Sequence, residues 1–230
     1  ADARGLKEYL VTYRSSRGWS PNWTAELHGS EHYFRPGLTW PRRTQSGFGI
    51  RALPAGCIFA DKGPAAFVAD DDSQDLLALL AITTSTVFAY LVELQMAFGS
   101  YEVGVIQRTP VPPLTTDDGR PTTQAQTLAT LARRAWSLKR SLDTTTETSH
   151  AFVLPPGLNE RMTGLDPAAI ERGLAGLQRE IDDLAFACYG IDGEERQRIE
   201  IGVGASASGV QGSGAEAQQS QTEPRTSNPE

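Results

Sequence analysis

Cysteine is scarce in this 230-residue sequence: Cys57 and Cys188 stand far apart, each among apolar neighbours. Without a Cys-x-x-Cys pair the sequence argues against a zinc site. Two buried free thiols are the favoured reading over a disulfide, and they suit a reducing cytosol. Histidine is almost as rare, with His28, His32 and His150. His28 and His32 flank Glu31 at a metal-like spacing, but Gly29 and Ser30 break any helix there and no third ligand follows. Polar loop residues, or a phosphate or base contact, are the better readings. No P-loop, dinucleotide fingerprint or Gly-x-Ser-x-Gly elbow occurs. No signal peptide opens the chain. It begins at Ala1 rather than methionine, which suits a fragment or a processed product.

Long uninterrupted apolar runs are missing too. The most apolar stretch, Leu76 to Phe98, contains Thr83, Thr84, Ser85, Glu93 and Gln95. It reads as a buried helix, with no membrane partner. From Val203 to Glu230 large apolar residues almost vanish. That Ser/Gly/Gln/Ala-rich tail buries too little surface to offset its ordering entropy and is expected to be disordered.

Positive charge is in short supply overall, with a net charge of −7, but it is unevenly spread. Residues 1–60 carry eight Lys/Arg against four Asp/Glu, whereas residues 61–118 carry two against nine. A basic patch on an acidic protein suits a nucleic-acid groove reader within a larger assembly. An ordinary solvated face is the alternative.

Periodicity supplies an α+β expectation. Leu6, Leu10 and Tyr13 recur at helical spacing, and Arg17-Gly18-Trp19-Ser20-Pro21 ends that helix. Gly37–Trp40, Phe48–Leu53, Cys57–Ala60 and Ala65–Val68 read as short strands separated by turn residues. They predict a small mixed or antiparallel sheet. It packs on a long central helix that takes its cap from the run Asp70-Asp71-Asp72-Ser73 and continues to about Phe98. Tyr101–Gln107 reads as another strand, closed by the rigid exit Thr109-Pro110-Val111-Pro112-Pro113. A polyproline ligand is the alternative reading of that exit. A helix over Thr122–Asp143, a loop over 144–163, a helix over Pro167–Tyr189 and a short one over Asp192–Ile201 follow. The two longer helices would pair as an arm. The organisation expected is a body over 1–118, a helical arm over 119–202 and the tail over 203–230.

The chemistry-bearing residues cluster near the front. Arg17, Trp19, Arg35, Arg42, Arg43, Thr44, Arg51 and Lys62 combine cations with flat apolar groups. Arginine forks onto guanine O6 and N7, and either cation neutralises phosphates. Trp19 and Trp40 suit core plugs or base contacts. Adjacent Arg42 and Arg43 in a polar loop suit DNA contact, with a solvated pair as the alternative. Asp61-Lys62 followed by Asp70–Asp72 is too loose for a nuclease centre.

Leu38-Thr39-Trp40-Pro41-Arg42-Arg43-Thr44, Gly47-Phe48 and Arg51-Ala52-Leu53-Pro54-Ala55-Gly56-Cys57-Ile58-Phe59 are followed by Gly63. With Gly99–Gly104 and Pro110-Val111-Pro112, they resemble the C-terminal target-recognition region of adenine-specific DNA methyltransferases. The relatives in view are type IIG restriction–modification enzymes and the methylases of BREX and DISARM phage-defence systems. Leu177–Asp182 and Tyr189-Gly190-Ile191 resemble the helical end of those proteins, so the resemblance spans roughly residues 5–200.

It implies a segment that clamps double-stranded DNA and chooses the site. A catalytic domain, in the same or a partner chain, would methylate adenine N6 with S-adenosylmethionine in the cytoplasm. The departure is large. No glycine-rich donor loop is present, and the Pro-Pro pairs follow Val111 and Leu154 rather than Asn or Asp. The chain itself is therefore expected to bind no cofactor and to lack transferase activity. Two readings remain open for Arg133, Arg134, Lys139 and Arg140: they could track phosphates or pack on the missing domain. For the whole chain the alternative is a protein-interaction or scaffold module that binds a partner subunit.

Overall fold

The structure is a computed structural model that describes residues 4–27, 29–44, 47–96 and 99–212. Helix α1, Arg4–Ser16, stops where Gly18 turns with φ +71° and packs chiefly on the short 3-10 turn Trp23–Glu26. Strands β1 (Gly37–Thr39), β2 (Arg51–Leu53) and β3 (Ala65–Ala66) form an antiparallel sheet in the order β2-β1-β3. The register sets Leu38 between Ala52 and Ala66, and Thr39 between Arg51 and Ala65. Successive side chains alternate across a sheet. Leu38 is buried and β1 packs on helix α2, so Thr39 and Arg51 belong to the outward face. At Gly37 a Cβ would come within 2.6 Å of the Ala66 carbonyl oxygen, so β1 and β3 approach through a residue with no side chain.

The α+β class and the small antiparallel sheet agree with the sequence reading, whereas several elements differ. Cys57–Ala60 contributes only an isolated bridge, Ala60 to Gly63, rather than a strand. The apolar run is two helices, α2 (Ser73–Thr83) and α3 (Thr86–Glu93), bent by 66°. Consecutive hydroxyls cause the break, because Ser and Thr offer the backbone rival hydrogen bonds. Thr83 and Thr84 donate back to the Leu79 and Leu80 carbonyls, and Ser85 Oγ caps α3 by accepting from the Phe88 amide. The expected strand Tyr101–Gln107 is instead helix α4, Val103–Arg108. Its β-branched residues favour a strand only weakly. Burying Val105, and packing Ile106 on the core, outweighs that preference. The expected loop 144–163 contains helix α6, Pro156–Thr163.

Helix α5, Thr123–Asp143, is capped by Thr122, and α7, Pro167–Tyr189, by Asp166, with Gly190 in the left-handed region at its end. Helix α5 packs on both α2 and α7. Asp182 of α7 accepts from the Thr86 amide at 2.7 Å and Gln178 donates to the Thr84 carbonyl, so α7 closes the break between α2 and α3. Helix α8, Gly193–Gly212, runs into the stretch expected to be a tail; residues 213–230 lie outside the described ones. One core cluster unites Leu38, Trp40, Ile82 and Phe88 with Leu128, Leu177, Ile181 and Phe186, on both sides of residue 118. No single described helix is long and apolar enough to cross a membrane. Cys57 and Cys188 are free, as expected, but half-buried rather than buried.

Candidate nucleic-acid interface

The stretch around Trp40–Arg42 meets the stretch around Tyr101 directly. Trp40 is buried, and its indole N–H donates to the Tyr101 carbonyl at 3.0 Å. The Tyr101 amide donates to the Arg42 carbonyl at 2.8 Å. Trp40 is therefore a core plug. Trp19 is not: it is 48% exposed and meets the Tyr13 ring edge-on.

Arg42, the favoured DNA contact, is committed elsewhere. Its guanidinium bonds Glu102 at 3.0 Å through Nε and at 2.8 Å through Nη2, and reaches Asp61 at 2.5 Å. Asp61 also holds Lys62 at 3.0 Å, so two cations face two carboxylates and their formal charges cancel. The Ser100 hydroxyl, then Arg42, hold the Glu102 carboxyl below the ordinary glutamate range. Lys62, with help from Arg42, does the same for Asp61. Arg35 is equally engaged. It pairs with Asp71 at 2.7 Å, donates to the Val68 and Ala69 carbonyls, meets His32 Nδ1 at 3.1 Å and lies over the Phe67 ring. The sequence reading took the run Asp70-Asp71-Asp72-Ser73 as a helix cap. The fold brings Asp71 onto Arg35 instead, and Asp72 caps α2, accepting from the Gln74 and Asp75 amides.

Three sheet-side cations stay accessible. Arg43 and Arg51 are exposed and form no ion pair among the described residues, and the Lys62 side chain is 88% exposed despite its contact with Asp61. Arg51 opposes Thr39 on one neighbour of the central strand. Lys62 flanks the same chain on the other side, where its carbonyl accepts from the Arg42 amide. Arg42 lies three residue steps of chain beyond Thr39, roughly 10 Å when extended. Thr44 is half-buried. Arg17 lies apart with α1, its guanidinium over the Tyr13 ring at 5.0 Å and the Trp19 ring at 5.7 Å. His28 lies outside the described residues, and no group of three or more His, Cys, Asp or Glu among the described residues could hold a metal.

For the cations of helix α5 the sequence reading left two roles open, tracking phosphates or packing on a missing domain. Arg133, Arg134, Lys139 and Arg140 are all exposed, without an ion pair among the described residues. The signal was legible: no carboxylate occurs between Thr122 and Leu142.

No family model matches this chain. Over 107 residues the chain is 27% identical to the adenine-specific methyltransferase BrxX of Escherichia coli O9:H4 (strain HS). That stretch is 46% of this chain and 9% of the relative's length. The chain is thus similar to a small part of an adenine-specific methyltransferase.

Proposed function

We propose that this chain is a non-catalytic, DNA-contacting part of a protein related to the adenine-specific methyltransferases. The similarity to a short stretch of such an enzyme carries the reading. In it, Arg43, Arg51 and Lys62 meet duplex DNA at one end of the sheet, and Arg17 with Trp19 forms a second contact. Arg35 and Arg42 shape the surface without touching DNA, because carboxylates already satisfy them. Adenine-N6 methyl transfer from S-adenosylmethionine belongs to a catalytic domain elsewhere in the same or a partner chain. That function would mark self DNA in the cytoplasm for restriction–modification or phage defence.

Duplex affinity of charge variants tests the assignment. Arg43→Gln/Arg51→Gln should weaken binding by about tenfold, since each lost phosphate contact removes counterion release. Arg35→Gln, if folded, should leave affinity near wild type. Equal loss in both, or no loss in the first, contradicts the assignment.

A second reading has one observation in its favour. Val153, Leu158 and Met162 are exposed apolar residues on α6 and just before it, with Met162 at 73%. Such a patch suits a partner subunit. Capture of a purified catalytic partner, lost in Leu158→Ser/Met162→Ser without loss of duplex affinity, would support that scaffold role.

A further inference from the structure

Helix α5 is fixed by its inner side. Leu128, Ala129, Leu131 and Ala132 are buried, and the helix packs on α2 and α7. Its outer side presents Arg133, Arg134, Ser137 and Arg140, whose spacing of i, i+1, i+4 and i+7 gathers them on one side of the helix. Lys139 and Arg140 have an internal explanation. They lie in or beside the last turn, where the helix dipole favours cations, and Arg140 also covers the Trp136 ring at 5.8 Å.

Arg133 and Arg134 have no such explanation. They lie more than two turns from the helix end, beyond the reach of the dipole. One turn either way stand Ala129, Thr130, Ser137 and Leu138, none of them acidic. Two adjacent guanidiniums repel each other, and no carboxylate among the described residues pairs with either.

Between them lies a shallow depression lined by Arg133, Arg134, Ser137 and Leu138. Thr127, Thr130 and Ser141 each donate their hydroxyl to the carbonyl four residues back. Ser137 makes no such bond among the described residues, so its hydroxyl is available at the depression.

We propose that this face seats the phosphate backbone of a DNA duplex. Two guanidiniums fork onto phosphate oxygens, Ser137 donates a third bond, and Arg140 takes a neighbouring phosphate. Arg133 to Arg140 is roughly 10 Å of helix, a length over which one strand presents about three phosphates. The contact is independent of base sequence. The inference rests on the DNA-contacting reading, but it places a backbone grip on α5 in addition to the sheet-side cations.

The test is the salt dependence of duplex affinity for the whole chain and its variants. Arg133→Gln/Arg134→Gln should reduce the slope of log affinity against log salt by about two, one per phosphate contact. The loss should be equal on two unrelated duplexes, with helix content and melting temperature unchanged. Arg133→Lys/Arg134→Lys should restore most of the slope. An unaltered slope in the glutamine variant overturns the α5 face. If Arg43→Gln/Arg51→Gln then still weakens binding, the DNA reading survives without it. A wild-type chain with no salt-dependent duplex affinity overturns both.

Discussion

Arg42 shows how a residue chosen for its charge can be occupied by structure. Two carboxylates from distant parts of the chain, Asp61 and Glu102, close on it. Arg42→Gln should lower the melting temperature at neutral pH and change duplex affinity less than Arg43→Gln does. A double-mutant cycle with Glu102→Gln should show coupling between the two. The same cluster sets a pH dependence. Glu102 and Asp61 titrate below their ordinary values in the folded chain. The folded state therefore binds fewer protons at these sites than the unfolded one. Their stabilisation is complete above about pH 4.3, the ordinary glutamate value, and is lost as pH falls through the lowered folded values. Acid unfolding of Glu102→Gln should be the shallower in that window. Trp40 offers a neutral counterpart. Trp40→Phe removes the donor to the buried Tyr101 carbonyl and should cost about 1–3 kcal/mol in urea unfolding.

At the scale of elements, α2 and α3 depend on a third helix. Asp182 and Gln178 of α7 bond the backbone on either side of the break at Thr84-Ser85. Asp182→Ala leaves the first amide of α3 without its acceptor and should destabilise by roughly 1 kcal/mol, as loss of a helix cap does. Calorimetry reads that shift, and an unchanged midpoint would mean that Ser85 alone secures the start of α3. Elements with strong local signals were legible from the sequence. Thr122, Asp166, Pro167 and Gly190 bounded α5 and α7 to within a residue. The break at Thr83-Thr84-Ser85 was visible as three polar residues, but its geometry depends on groups nearly a hundred positions away. Helix α4 was misread for a related reason: Val103-Gly104-Val105-Ile106 carries strand-like residue types, and contacts with the core decide its conformation.

For the molecule as a whole, two accessible cationic regions stand on an acidic body besides Arg17 at the end of α1. One is the sheet end with Arg43, Arg51 and Lys62; the other is the outer side of α5. The first was legible because arginines crowd the N-terminal block. Its thinning was not, since pairing of Arg35 with Asp71 and Arg42 with Glu102 is long-range. The second was legible as a basic helix face, for which phosphate tracking and packing on another domain both stayed open. Neither region requires the chain to carry out chemistry, and the sequence contains no methyl-donor loop or base-holding motif. Duplex affinity of the intact chain across salt concentration tests this account most directly. The account predicts tight binding at low salt and a linear fall in log affinity with log salt, with a slope of about −3 or steeper. No binding at low salt, or affinity indifferent to salt, would contradict it.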